Sequence, residues 1–420
     1  MTIIQSLLGL AIFIAIAWMM SEQRHLVRPR IIIAGVGIQF ILALLLLKIP
    51  IIHDVFTPLS EVVAAVQKAT QAGSSFIFGY LGGGDTPYDL THPQNSFILA
   101  FQALPLILVM SALSALLFHW RILPPIIHAF SWLLRKSLGI GGALGLSSAA
   151  NILVGMIEAP LLIRPYLASL TRSELFAVMV GGMATIAGTV MVFYASILGG
   201  VIPDAMGHIL TASLISAPAA LMLARIMIPE DSKQTQHQSK HITEYESSMD
   251  AITQGTLNGL QLLLNIVAML LVLVALVHLS NQILALLPSV GESPLSLERI
   301  LGWIMAPFMW LIGIPWAEAQ SAGELMGIKT VLNELLAYLK MATLPEGVLS
   351  ERSRLIVTYA LCGFANFGSL GIMIGGLGAM VPSRKSEIIE LGLRSLVAGT
   401  LATLMTGAVV SLIIIPLYTT

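Results

Sequence analysis

Two carboxylates stand in surroundings that disfavour charge. Glu158 lies in NILVGMIEAPLLIRPYL and Glu334 in LMGIKTVLNELLAY, both largely apolar stretches. At a bilayer centre a charged side chain costs about 2.5 to 3.5 kcal/mol, so it must face a partner or a water-filled cavity. A local partner is available to each, Arg164 for the first and Lys340 for the second. Matching settings for the two acids favour one shared wet cavity instead. Asn366 sits in CGFANFGS, a glycine-rich break in an apolar run, with Ser369 three residues on. On a helix that spacing gives one face, so an amide and a hydroxyl can converge on one ligand. The alternative for Asn366 is a plain helix cap. Phe364 beside the break can stack on a planar ring. Asn151 and Thr185 occupy comparable breaks earlier in the chain. Unwound carbonyls with a hydroxyl suit a small hard cation such as Na⁺, although a lone Thr in such a span also serves as a packing hydroxyl.

Other chemistries are excluded. Histidines fall at 25, 53, 92, 119, 128, 208, 237, 241 and 278, with no HExxH string or pair set beside an acid, which argues against a metalloenzyme. No GxxxxGK[ST] loop is present, so uphill work must draw on an ion gradient. The single cysteine, Cys362, has no partner for a disulfide or a thiolate metal site.

The elements holding these residues must be membrane helices. Of 420 residues, 56% are hydrophobic and 10% charged, against about a quarter charged in soluble domains. Residues 3–20, 31–47, 97–118, 205–228, 256–288 and 391–416 meet the roughly 20-residue apolar length that a 30 Å hydrocarbon core requires. The first of these lacks a basic lead and a cleavage site and is expected to be retained as a span. A net charge of −1 offers no basic face for nucleic acid.

Basic residues in short loops prefer the cytoplasmic side. Arg24, Arg28 and Arg30 therefore put the N-terminus outside, and Arg121, Arg135, Lys136, Arg164, Arg172, Arg384 and Lys385 also fall inside. Asp54, Glu61, Asp85, Asp89 and Asp204 fall outside, the polar run from Glu230 falls inside, and the C-terminus ends outside. Segments 57–71, 122–135 and 295–310 read as interfacial helices.

The order of features repeats. A short stretch with Glu158, the turn LTRSE and the glycine-interrupted span FAVMVGGMATIAGTVMVFYASIL match a stretch with Glu334, the turn LSERSR and YALCGFANFGSLGIMIGGLGAMV. The topology makes these repeats inverted, which places a transporter-type binding site near the midplane. The expected division is scaffold helices over 1–140, a first re-entrant hairpin and broken helix over 141–200, and scaffold helices over 201–290 with a cytoplasmic loop at 229–250. A second hairpin and broken helix follow over 291–385, then a last span over 386–420.

The strings NILVGMIEAPLLIRPYL, GGMATIAGTVM, LMGIKTVLNELLAY and CGFANFGSLGIMIGGL resemble the concentrative nucleoside transporter family in its bacterial form. The resemblance implies an all-α integral membrane protein with inverted repeats, eight spanning helices, two opposed re-entrant hairpins and interfacial helices, assembled as a homotrimer in the inner membrane. It implies an ion-coupled nucleoside symporter working by alternating access and needing no cofactor. By the resemblance, Glu334, Asn366 and Ser369 contact ribose, while Gly155, Glu158, Val190 and Phe364 contact the base. Met156 and Ile157 replace a Gln and a Thr usual in the family, so an apolar pair stands where polar groups would read base edges. The implied Na⁺ site is Asn151, Val154, Thr185 and Ile186, with H⁺ the second choice of ion. The residues alone leave one alternative from another class, a membrane-embedded enzyme using Glu158 and Glu334 as an acid/base pair.

Overall fold

The computed structural model describes residues 2–89, 96–230, 235, 245–290 and 294–414. His92, His237 and His241, the side chain of His53, most of the polar run after Glu230 and residues 415–420 lie outside the described residues. The architecture is all-helical. In order the helices are α1 (Thr2–Met19), α2 (Pro29–Lys48), α3 (Pro50–Phe78), α4 (Pro105–His119), α5 (Leu123–Leu138), α6 (Gly142–Asn151), α7 (Glu158–Leu161), α8 (Arg172–Ala184) and α9 (Gly188–Leu198). They continue with α10 (Ala205–Met227), α11 (Ser248–Leu284), α12 (Leu297–Leu311), α13 (Trp316–Val331), α14 (Glu334–Ala342), α15 (Glu351–Leu361), α16 (Phe367–Met380) and α17 (Lys385–Ile414).

Among the described residues six helical segments are long and apolar enough to cross a bilayer: Pro29–Lys48, Leu99–His119, Arg172–Leu198, Ala205–Met227, Ser248–Leu284 and Pro382–Ile414. The chain is a multi-pass membrane protein. The segments read as interfacial are almost wholly helical: 57–71 falls within α3, and all but the first residue of 122–135 and the first two of 295–310 fall in α5 and α12.

Start signals are local. Proline opens α2, α3 and α4, where its missing N–H goes unneeded. Thr171 and Glu174 form a capping box at the head of α8, and Ser350 caps α15 by accepting from the Ser353 N–H. These are the turns LTRSE and LSERSR, so the repeat noticed in sequence corresponds to two equivalent helix starts.

The core is the layer of α8, α9, α10 and α17. Of the α10 window 89% is buried, against 11% of that in α11, which shows apolar side chains such as Leu271 and Leu264 on its outer side. α11 packs on α4 through small residues: a Cβ at Gly259 would lie 2.9 Å from the Leu108 Cα. Buried hydroxyls and amides join distant helices, Gln39 Nε2 donating to Thr406 Oγ1 at 3.1 Å and Ser216 meeting Thr406 at 2.8 Å.

The decisive contact is between two breaks. α8 and α9 are interrupted at 185–187, α15 and α16 at 362–366, and the breaks touch. The Phe364 N–H donates to the Thr185 carbonyl at 3.3 Å. A Cβ on Gly363 would lie 2.9 Å from the Ala184 oxygen and 2.7 Å from Thr403 Cγ2, so only glycine fits between the two backbones and α17. Each break is also met by the gap between two short helices. Gly188 N–H donates to the Leu153 carbonyl at 3.1 Å, from the gap between α6 and α7. The side chain of Asn366 reaches Glu334, at the gap between α13 and α14.

Candidate functional site

These four interruptions converge on a cavity of about 840 Å³, its open mouth included. Glu334 is 2% exposed and occupies the first turn of α14, where the positive end of the helix favours a carboxylate. Asn333 caps that helix, its Oδ1 accepting from the Leu336 N–H at 3.0 Å. The Glu334 carboxylate accepts two bonds, from the Tyr194 hydroxyl at 2.5 Å on Oε1 and from Asn366 Nδ2 at 2.9 Å on Oε2. Asn366 holds both ends of its amide to work: Oδ1 accepts from the Ser369 N–H at 2.7 Å and so caps α16. One amide thus caps α16 and holds Glu334 at once, so the cap does not exclude a second task for this residue. Each Glu334 oxygen carries two lone pairs, so with one donor apiece the carboxylate keeps acceptor capacity for a solute.

Glu158 lines the same cavity and is exposed. Among the described residues neither acid is in an ion pair, and Lys340 pairs instead with Glu324 at 3.7 Å. Gly155 lies at φ +126°, and a Cβ there would come within 2.8 Å of Glu158 Oε2. Met156, Ile157, Val190, Phe364 and Ser369 line the cavity together with Glu158, Glu334 and Asn366; Gly155 shapes its wall without lining it.

The four ion candidates cluster at the α8 break. Asn151 Nδ2 donates to the Gly181 carbonyl at 2.9 Å and to Thr185 Oγ1 at 2.5 Å, and Thr185 Oγ1 donates to the Gly181 carbonyl at 3.1 Å. The Ile186 N–H donates to Ser213 Oγ at 3.0 Å, and Val154 N–H to the Ala150 carbonyl at 2.9 Å. The oxygens that these bonds place at the break are the Gly181 carbonyl and the Thr185 hydroxyl, both neutral. Among the described residues no group of three His, Cys, Asp or Glu side chains could hold a metal.

Two participants escape the sequence reading. Tyr194, in an apolar helix, reads there as core. Asn265, in the long α11, lines the cavity with Leu262, Ile266, Met269 and Leu273. A lone amide in so apolar a span was the available signal.

Duplicated broken helices around a largely apolar cavity that holds two carboxylates and several amides define a secondary-transporter class of protein. The comparisons give the family. Models described as Na⁺-dependent nucleoside transporter N-terminus, nucleoside recognition gate and Na⁺-dependent nucleoside transporter C-terminus match residues 8–81, 100–201 and 208–411. The nucleoside permease NupC of Helicobacter pylori is 36% identical over 417 residues, 97% of this chain and 97% of that protein. CNTnw, solved in an inward-facing substrate-bound state, superposes with a TM-score of 0.87 at 35% identity, covering 98% of this chain and 99% of that one. A variant of CNTnw in an outward-facing state also gives 0.87, at 34% identity over 99% and 98% of the two chains. The chain belongs to the Na⁺-dependent nucleoside transporter family. Its relatives are transporters, so the membrane-enzyme alternative is not favoured.

Proposed function

We propose that this protein imports nucleosides with Na⁺ by alternating access, and that the Glu334 carboxylate is its sugar-binding group. The observation that carries the reading is the pair of donors on Glu334, Tyr194 and Asn366, which hold one carboxylate oxygen each at the cavity wall. A vicinal diol presents two O–H donors to two carboxylate oxygens, and charge-assisted bonds of this kind are roughly twice as strong as neutral ones. Asn366 and Ser369 complete the ribose side. Met156, Ile157, Val190 and Phe364 pack on the base, Gly155 gives the backbone its turn, and Glu158 closes the wall.

Asn151, Val154, Thr185 and Ile186 hold Na⁺ beside the break. Filling that site draws the α6 end and the α8 end together, and through the Thr185 carbonyl it fixes Phe364. Ion occupancy thereby prepares the nucleoside pocket.

The eight spans of this reading are α1, α2, α4, α8–α9, α10, α11, α15–α16 and α17. The pairs α6–α7 and α13–α14 are re-entrant hairpins opposed across the membrane, and α3, α5 and α12 lie at the interfaces. The exposed face of α11 joins a homotrimer, and the protein sits in the inner membrane with both termini outside. The segments 141–200 and 291–385 move as the transport unit against the scaffold.

Purified protein in liposomes should accumulate radiolabelled uridine when Na⁺ is imposed outside, and fail to do so with choline or with a pH gradient alone. Accumulation driven by the pH gradient would transfer the coupling to H⁺, and uptake indifferent to both ions would end the symport reading.

A further inference from the structure

A second cavity, of about 1060 Å³ with its open mouth included, adjoins the first along α9 and α14. Phe193, Tyr194 and Leu335 line the first, whereas Ile197, Leu339 and Thr343 line the second. Leu335 and Leu339 are one helical turn apart, so the second cavity begins about 6 Å further along α14. Its facing wall comes from α3 and from the π-helical turn Leu99–Ala103 that leads into α4. In the orientation proposed above, this is the outer seam between the scaffold and the segments proposed to move.

The scaffold wall is built of amides. Gln67 and Gln71 stand four residues apart on one face of α3, and Gln102 belongs to the π turn, a feature frequent at functional sites. A Cβ on Gly83, at φ +89°, would lie 3.3 Å from Gln71 Nε2 and 3.9 Å from Gln102 Cδ, so two amides meet over that glycine. Gln102 Nε2 donates to the Ser96 carbonyl at 3.1 Å, which fixes the amide and leaves its oxygen to accept. Phe97, exposed, lines the same cavity. Among the described residues no Asp, Glu, Lys, Arg or His lines it, so it suits a neutral ligand. A Gln amide offers a donor and an acceptor side by side, the pattern that pairs with the edge of a nucleobase. The wall proposed for the base in the first cavity holds Met156 and Ile157 instead, whose side chains cannot bond that edge.

We propose that the second cavity is an entry subsite for the nucleoside, where Gln71 and Gln102 bond the edge of the base and Phe97 covers its face before Glu334 takes the sugar. The inference rests on the functional reading above. It divides recognition between the two bodies: bases are sorted on the scaffold, and ribose is held on the moving unit. An outward movement of α14 by one turn, about 5.4 Å, sets Leu335 where Leu339 stands and brings the Glu334 carboxylate toward the amides. A nucleoside already held there is then handed from one wall to the other without returning to water.

The test is protection of a thiol placed in the second cavity. Cys362, the single native cysteine, is buried, so Thr343→Cys supplies the accessible one; Ser196→Cys, also exposed and lining the cavity, repeats the measurement on the α9 wall. In detergent with Na⁺, uridine should slow labelling by a charged maleimide, and the half-protecting concentration should be unchanged when Glu334→Gln is added. Gln71→Leu with Gln102→Leu should raise that concentration roughly tenfold or more, as the loss of two neutral hydrogen bonds implies. N3-methyluridine, whose edge has lost its N–H donor, should protect correspondingly less. No protection, protection that weakens with Glu334→Gln, or protection indifferent to the two leucines overturns the inference. Uridine accumulation by the unaltered protein on a Na⁺ gradient, measured in parallel, keeps the readings apart. If accumulation is intact and protection fails, only the entry subsite falls; if accumulation is absent, the functional reading falls with it.

Discussion

Replacing Glu334 with Gln probes the sugar contact with the smallest change of shape. Both neighbours of this carboxylate donate to it, and the Asn366 amide cannot turn because its oxygen caps α16. The Gln oxygen must therefore face Asn366, leaving its NH₂ toward Tyr194, whose hydroxyl can rotate to accept. Fold and cap survive, while the group offered to the solute loses its charge and one acceptor oxygen. Hydrogen bonds to charged groups contribute about 1.5–3 kcal/mol and neutral ones about 0.5–1.5, so each diol contact weakens by roughly 1–1.5 kcal/mol. Two contacts give about 2–3 kcal/mol, or about 30- to 140-fold in affinity at 1.4 kcal/mol per decade. Calorimetry with uridine and 2′,3′-dideoxyuridine on both proteins closes a double-mutant cycle. The coupling energy between Glu334 and the diol should be about 2–3 kcal/mol, since the dideoxy compound has no hydroxyls to lose. A coupling below about 0.5 kcal/mol, the usual error of additivity, would show that Glu334 does not bind the sugar.

The other expectations concern the base, the ion and an ion-pair cluster between helix ends. Met156→Gln with Ile157→Thr should change the ranking of bases in competition uptake, by roughly fivefold per matched hydrogen bond of about 1 kcal/mol, and leave the ribose requirement intact; an unchanged ranking would mean this wall does not meet the base. Thr185→Val removes the hydroxyl that Asn151 bonds and should raise the Na⁺ concentration for half-maximal uptake about five- to tenfold, with little effect at saturating Na⁺. Glu22 is bonded by Arg172 at 2.9 Å and paired with Arg394, and the Arg172 bond, foremost, holds its carboxyl below its ordinary value of 4.5. That lowered value stabilises the fold above pH 4.5, and the benefit fades as pH falls through the folded-state value. Wild type should melt above Glu22→Gln at pH 7, with the gap closing below pH 4.5; a constant gap would assign the effect to packing.

What could be read in the sequence follows from the cost of charge in apolar surroundings. Glu158, Glu334 and Asn366 stand out because their environment penalises them, and the structure gathers all three on one cavity. The repeated turns were visible because helix capping is a local rule, and Thr171 and Ser350 obey it. Tyr194 was not legible, since an aromatic in an apolar helix packs far more often than it donates. Its part appears only when α9 is set against α14. Asn366 posed a choice between cap and ligand holder because sequence assigns a residue one role, whereas an amide has a donor end and an acceptor end that can serve both. The partners proposed for the two acids, Arg164 and Lys340, were plausible by spacing alone, and Lys340 turns instead to Glu324.

On the proposed function, the meeting of the two breaks gives ion and solute a link that needs no direct contact between them. Thr185, one of the residues proposed to hold the ion, accepts the N–H of Phe364 on its carbonyl, and Phe364 lines the cavity proposed for the nucleoside. Two residues beyond Phe364, Asn366 orients Glu334. On that proposal a shift of the α8 end on ion binding reaches Phe364 through a backbone bond and Glu334 through the Asn366 side chain. Gly363 lets the backbones come this close, because a Cβ there would strike the Ala184 oxygen and Thr403. Thr403 also accepts from Lys329. The crossing thus ties the residues proposed for the ion, the Glu334 carboxylate and the buried Lys329 ammonium together through a short run of bonds, the link that the proposed coupling of ion to solute requires.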